Sequence, residues 1–492
     1  YGGDLGSTRY SALRQIHTGN VARLAVAWVF QPGVAGHYEA TPLVEDGILY
    51  FSAPGGHAYA VDARTGRSLW HHQRPIPERQ ILCCGPVNRG LALAGDRLFL
   101  VTIDAHLLAL DKKTGRTLWD SVMADYKPGY SATAAPLVVG DKVVVGMAGG
   151  DTPTRGFLDA YSISTGERVW RFWTIPAPGE PGSQTWTVDS WQRGGAATWV
   201  TGSFDPELNL VYWGIGNPAP DINGDVRPGD NLYSNCMVAL DAASGNLRWY
   251  YQFTPHDTHD WDGVNEPILA DLTIDGKPRK ALLHADRNGF LYALDRTNGK
   301  VIWGKPFVKT TWAEKLDANG RPLVKPNTDP TPEGNDACPG LGGGKNWNHM
   351  AFNPQTGLVY VPSSETCEKF YLGDATPHPG QLFLGSINES IPTIKPWGAL
   401  RAFDARDGKL VWEFQTIRPH RGSVLTTAGD LVFTGDGQGY LIAFHARSGK
   451  VLWKLQLGAG ISAPPMTYVL DGRQYVSVIA GTALFTFGLP EM

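Results

Sequence analysis

The sequence predicts an all-β fold, an eight-bladed β-propeller held together by docked tryptophans. Three observations predict it: a composition rich in turn-formers and aromatics, a short motif that recurs along the chain, and the spacing of that motif. The 492 residues include 59 Gly, 35 Pro and 17 Trp, with 11% aromatic and only 18% charged residues. That balance suits many short strands joined by tight turns better than helices.

The motif is a turn of the form x-T/S/N/D-G followed by a short apolar strand ending in Trp. Its seven copies are VDARTGRSLW, LDKKTGRTLW, YSISTGERVW, LDAASGNLRW, LDRTNGKVIW, FDARDGKLVW and FHARSGKVLW, which end at Trp70, Trp119, Trp170, Trp249, Trp303, Trp412 and Trp453. Successive spacings are 49, 51, 79, 54, 109 and 41 residues. A four-stranded blade cannot bury both faces alone, so repeats of this length stack into a ring. Within the interval of 109, AFNPQTGLVYVP reads as a degenerate copy with Tyr360 in place of Trp, which brings the expected count to eight blades. The interval of 79 is expected to hold an insertion, Trp173 to Ala197, crossing the top face as a binding loop. Strand-like LAVAWVF, with Trp28, is expected to join the last blade and close the ring, removing open edges. The repeat tryptophans are read as structural, packed between blades with each indole N–H on a neighbouring backbone carbonyl. One domain over residues 1–492 is expected, without a cytochrome domain.

A formal net charge of −4 and the lack of a Lys/Arg run argue against nucleic acid and anionic membrane surfaces as partners. A small-molecule substrate is expected. No window approaches eighteen consecutive apolar residues, so no membrane span is expected, and the start YGGDLGSTRY has the look of an already processed chain. The five cysteines, Cys83, Cys84, Cys236, Cys338 and Cys367, form neither a C-x-x-C pair nor a C-x-x-C-H haem site.

Chemistry concentrates where the repeats break. Adjacent Cys83 and Cys84 in ILCCGPVNRG leave free thiols, bonds elsewhere and a vicinal disulfide all open. Followed by N-R-G and framed by the tryptophan repeats, the segment resembles the pyrroloquinoline quinone (PQQ)-dependent alcohol and methanol dehydrogenases. The resemblance runs from YGGDLGSTRYSALRQI to ISAPPMTYVLDGRQYVSVIAG. It implies that Cys83 and Cys84 form a disulfide ring against one face of the quinone, with Arg89 nearby and Trp199, in GGAATWVTGSFDP, on the other face. Without the resemblance, Trp199 would be read as a core residue. PQQ carries three carboxylates, and Arg89, Thr133 and Arg287 match the family's polar contacts to it, while Glu39 matches an acidic residue close to it. Ala148, Gly149 and Gly150 are expected to let backbone N–H groups approach the cofactor. Asn346 and Trp347 in GGKNWNHMAFNP complete the expected pocket.

For the metal, YWGIGNPAPD supplies Asn217, and TPHDTHDWDGVNEP supplies Asp260 and Asp262. On a strand this i, i+2 pair would face one side, where two anions call for a cation between them. Oxygen-only ligation suits a hard ion. A zinc site from His256, His259 and Asp260 is the alternative, set aside because the segment matches the family's catalytic aspartate without the histidines. The family's remaining carboxylate is usually Glu, and here GMAGGDTPTRGFLDAY places Asp151 there, one methylene shorter. Three carboxylates, with Asp262 as the feature that resembles the family's lanthanide-dependent branch, point to one lanthanide ion, with Ca²⁺ as the alternative. A second departure is Arg421, where relatives often have an aromatic residue, which predicts a more polar pocket.

The resemblance implies oxidation of an alcohol to an aldehyde or ketone, with Asp260 as base on the substrate hydroxyl, the ion as Lewis acid and the quinone as hydride acceptor. Electrons would leave to an external acceptor such as a c-type cytochrome, and a homodimer is compatible. It further implies disulfides Cys83–Cys84 and Cys338–Cys367 with Cys236 free, hence an oxidising, periplasmic or secreted setting. The rival from another class is a non-catalytic propeller scaffold, which shares the tryptophans but leaves Cys83-Cys84, GNPAP and the close aspartates unexplained. A membrane-bound glucose or polyol oxidase would require a membrane span.

Overall fold

The computed structural model describes residues 1–491 other than Arg79, Val188 and Pro379, and the described chain is almost wholly β. Eight sheets form the blades. Their first strands are Leu43–Glu45, Ala92–Ala94, Leu137–Val139, Ser203–Asp205, Ile268–Ile274, Ala351–Asn353, Val424–Thr427 and Met466–Leu470, numbered here as blades 1 to 8. First strands of blades 1, 2, 3, 7 and 8 line one axial cavity. Fourth strands, such as Ser68–Gln73 and Thr117–Val122, alternate exposed with half-buried residues, as an outer edge should.

The ring closes as expected. Ala25–Phe30 is the fourth strand of blade 8, antiparallel to Ala483–Gly488. At the axis, backbone carbonyls of the N-terminal segment accept N–H groups from four successive first strands: Leu5 from Phe204, Gly6 from Leu269, Thr8 from Phe352 and Arg9 from Thr426, at 2.8 to 3.0 Å.

The repeat motif makes one contact many times. Indole N–H groups of Trp28, Trp70, Trp119, Trp170, Trp249 and Trp412 donate to the carbonyls of Ala63, Lys112, Ile163, Ala242, Arg296 and Ala446 in the next blade, at 2.9 to 3.2 Å. The motif's glycine follows from this. Gly66 has φ +73°, and a Cβ there would lie 2.6 Å from the Trp28 ring. Turn geometry and indole contact thus both require the same missing side chain. Trp303 makes the ring contact, with Gly408, without a hydrogen bond from its indole nitrogen.

The count of eight holds for a different reason from the one the spacing suggested. AFNPQTGLVYVP is not a further copy of the motif: Ala351–Asn353 and Leu358–Glu365 are the first two strands of blade 6, whose fourth strand carries Trp412. Tyr360 resembles a docking residue because it shares the job, its hydroxyl donating to the same Ala446 carbonyl as Trp412. The eighth blade comes from the C-terminal strands and the Trp28 strand. The long interval is filled instead by excursions between blades 5 and 6 and within blade 6, which carry a three-stranded sheet of Asn335–Ala337, Glu368–Leu372 and Ser386–Ser390.

Gly66→Ala is expected to destabilise the fold by about 2–4 kcal/mol, the sum of a left-handed backbone penalty and an overpacked indole. Gly33→Ala is the control, since it has the same φ of +73° but nothing within 4 Å of its Cβ. It should cost only the backbone part, about 1 kcal/mol. Urea unfolding of both variants separates the two contributions.

Candidate active site

The loops at one face of the ring converge on a cavity of about 500 Å³. Seven blades contribute in the same way. Glu39, Arg89, Thr133, Trp199, Asp262, Trp347 and Arg421 line the cavity, each three to six residues before the first strand of blades 1 to 7. The turns between second and third strands of blades 3 and 5 add Asp151 and Arg287. Cys83, Cys84, Ala148, Gly149, Asp260 and Asn346 complete the expected residues found on its wall.

On one side stands Arg89. It lies 2.7 Å from Glu39 as a buried ion pair, donates to Thr133 Oγ1 at 2.7 Å, and has its guanidinium over the rings of Trp199 at 4.5 Å and Trp347 at 5.4 Å. Glu39 Oε2 lies close to Arg89 Nη2 without an aligned hydrogen bond, and Arg89 Nε has no hydrogen-bond partner either. Burial raises the Glu39 carboxyl, against the opposing pull of Arg89 and His37. The Cys83–Cys84 disulfide forms as implied, and so does Cys338–Cys367, with Cys236 a buried free thiol. The second bridge ties the three-stranded excursion to the cavity wall, where Glu368 accepts the Leu341 N–H at 2.8 Å.

On the other side the aspartates gather. Asp260 and Asp262 do not lie on a strand as the i, i+2 reading assumed; they sit in a loop where Asp260 takes φ +58°. Such a conformation is costly for a residue with a Cβ and persists only when its surroundings impose it. Here Asp257 imposes it, its carboxylate accepting the His259 N–H at 3.0 Å and the Trp261 N–H at 2.8 Å, while Trp261 is fully buried and donates to the Gly340 carbonyl. The cation between Asp260 and Asp262 is Arg287, bonded to both, at 3.0 Å in the case of Asp260. Asp262 also accepts the Asn217 N–H at 2.9 Å. His256 and His259 turn elsewhere, to the Gly229 and Thr328 carbonyls, which removes the zinc alternative.

Asp151, Asp221 and Asp260 each bring a carboxylate oxygen within 4.8 Å of the other two. Asp221, which sequence reasoning missed, joins Asp151 and Asp260 in this group. Its only signal was position, four residues after Asn217 in the GNPAPD loop, where the Asn217 side-chain amide donates to it at 2.9 Å. Asp260 Oδ1 is buried without a partner. Burial raises the carboxyls of Asp221 and Asp260 well above the ordinary range, and neighbouring carboxylates add to it. A set of oxygen donors with an orphaned buried oxygen fits a hard cation, and orphaned Arg89 Nε and Arg287 Nε fit an anionic ligand.

Two further expectations change. Ala148 N–H is spent on the Ser131 carbonyl at 2.7 Å, and Gly150 is not on the cavity wall. The glycine at 149 serves the backbone: φ is +101°, and a Cβ would meet the Gly129 carbonyl oxygen at 2.1 Å. The described part of Trp173 to Ala197 adds nothing to the wall; Val188 within it lies outside the described residues. It buttresses the neighbouring loop instead, through Trp186 bonded to the Leu232 carbonyl and Asn231 bonded to the Thr185 carbonyl.

The family model described as "PQQ: Glucose/ethanol/alcohol dehydrogenase, beta-propeller domain" matches residues 1–311 and 415–476. The chain is 43% identical to the quinoprotein alcohol dehydrogenase PedH of Pseudomonas putida, over 96% of this chain and 84% of that protein. It is 40% identical to the lanthanide-dependent methanol dehydrogenase of Methylacidiphilum fumariolicum, over 96% and 83%. Among solved structures, a europium-containing methanol dehydrogenase superposes with a TM-score of 0.93 at 36% identity, over 99% of this chain and 97% of that one.

A carboxyl whose pKa is higher in the folded chain than in the unfolded one favours the fold only while it holds its proton. Burial pushes Asp151 and Asp257 from 3.8 up to about 6. The cation-free protein is therefore expected to lose stability as pH rises through the window from 3.8 to about 6. A multivalent cation should flatten that loss by stabilising the ionised Asp151. Thermal melts across this window, with and without a chelator, measure both slopes.

Proposed function

The chain belongs to the PQQ-dependent glucose/ethanol/alcohol dehydrogenase family and oxidises alcohols as a quinoprotein, and from that premise we propose how its own residues divide the work. The non-catalytic scaffold alternative finds no support among its relatives. One observation carries the assignment of the base. Asp260 has one carboxylate oxygen held by Arg287 and the other buried without a partner in a loop that lines the cavity. The free oxygen, Oδ1, is the one to take the proton of the substrate hydroxyl as the alcohol is oxidised. When bound, PQQ supplies a hydride acceptor and the ion a Lewis acid.

The Cys83–Cys84 ring and the Trp199 indole are the proposed walls for the flat quinone, excluding water from its faces. Arg89, Thr133, Arg287, Asn346 and Trp347 would hold its polar rim, with Glu39 keeping Arg89 in place; Ala148 and Gly149 would shape the backbone beside it, and Gly150, off the wall, would not. Asp151, Asn217 and Asp260 would hold the ion, and Asp262 is kept as a further ligand whose charge is shared with Arg287. The Asn217 amide nitrogen is spent on Asp221, and its side-chain carbonyl oxygen meets no donor among the described residues. Trivalent lanthanide is proposed over Ca²⁺, because each added carboxylate favours the higher charge, and two of the relatives contain or depend on lanthanides by name. Residues 1–492 are proposed as one propeller unit that passes electrons to an external c-type cytochrome in an oxidising compartment, where the two disulfides persist.

Asp260→Ala is expected to lower turnover by about 10²–10⁴-fold while the quinone absorption band of reconstituted protein remains. Retention of most activity removes Asp260 from the role of base. In stripped protein supplied with PQQ, lanthanum should restore dye-linked alcohol oxidation and calcium only a small part of it. Full recovery with calcium alone sinks the lanthanide reading and leaves the quinoprotein intact.

A further inference from the structure

Asp221 lies in the loop between the second and third strands of blade 4, with 3% of its surface exposed. Such a carboxylate is costly to bury unless positive charge or several donors meet it. Among the described residues one donor does, the neutral amide of Asn217. The nearest buried cation on its own loop is Arg227, but that guanidinium is spent on the backbone carbonyls of Pro220, Asp221 and Asp257 and on Asn231 Oδ1. Arg287 is spent on Asp260, Asp262 and the Leu341 carbonyl. The group of Asp151, Asp221 and Asp260 therefore holds three carboxylates with one guanidinium touching one member.

We propose that Asp221 is a direct ligand of the active-site cation, supplying from blade 4 a carboxylate oxygen beside those of Asp151 from blade 3 and Asp260. The inference rests on the cation reading above and deepens it. With Asp151, Asp221 and Asp260 as anionic ligands and Asn217 as a neutral one, the charge of the first three balances a trivalent ion. Asp262, whose charge is shared with Arg287, then adds to a set that Asp221 has already brought to three carboxylates. Asp221 is also positioned by the residue it would work with, since the Asn217 amide orients its Oδ1.

The test uses terbium as the probe. Stripped protein reconstituted with PQQ is titrated with Tb³⁺, and binding is read from tryptophan-sensitised luminescence, with bound waters counted from lifetimes in H₂O and D₂O. Asp221→Asn should weaken Tb³⁺ by about tenfold or more and admit at least one more bound water. Asp225→Asn, an exposed acid on the same loop, should change neither. Adding Asp151→Glu to Asp221→Asn should recover part of the lost affinity, because the longer side chain can bring its second oxygen to the cation. Unchanged affinity and water count in Asp221→Asn overturn the inference while wild-type Tb³⁺ binding keeps the lanthanide reading. Absence of Tb³⁺ binding by the wild type overturns both. A crystal structure of the wild-type protein loaded with Tb³⁺ needs no variant: the anomalous peak should lie about 2.5 Å from an Asp221 oxygen, and a separation beyond about 3.5 Å excludes ligation.

Discussion

The bond from an outer-strand indole to a carbonyl in the next blade is the constraint on which this molecule depends. It fixes where one blade stands relative to the next, and the cavity is made from segments that belong to different blades. Glu39, Arg89, Thr133, Trp199, Asp262, Trp347 and Arg421 come together only because seven blades deliver their lead-in segments to one face. A shift at one blade boundary would carry a cavity residue with it. The repeat glycines serve the same end, by letting the turn of one blade lie flat on the indole of another.

Within that frame the cavity divides by charge. Its Arg89 side carries an ion pair, Arg89 with Glu39, beside two indole rings; its aspartate side is negative and short of counter-charge. Arg287 joins the two, bonded to Asp260 and Asp262 while its Nε has no partner. Burial, opposed by Arg287 and aided by like charges, holds Asp260 in the protonated direction; a cation held there would favour the ionised form that can act as a base.

Much of this was legible in the chain. The tryptophan motif is local and repeated, so it reads directly, and the adjacent cysteines, N-R-G and GNPAP stood out against it. The parts that misled were those where tertiary context decides. Tyr360 looked like a docking residue because it bonds the docking carbonyl, yet from the second strand of its blade. The D-x-D pair suggested a strand, whereas Asp257, three residues before Asp260, forces a left-handed turn. Asp221 carried no motif at all. Its partner Asp151 lies in another blade, and no periodicity in one strand reports a meeting between loops of two.

Ring closure also governs the order in which this chain can fold. Ala25–Phe30 completes a blade whose other strands are Met466–Leu470, Arg473–Ala480 and Ala483–Gly488, so this early strand waits for partners more than 430 residues further along the chain. Leu5 to Arg9 likewise reach their partners in blades 4 to 7 only once those blades stand in a circle. Such contacts have very high sequence separation, and their loop-closure entropy is spent before they return any stability. A growing chain can therefore build blades 1 to 7 locally as it emerges, but its ring closes only once the strands of blade 8 have been made, and loss of those strands would leave an unpaired edge rather than a smaller stable ring.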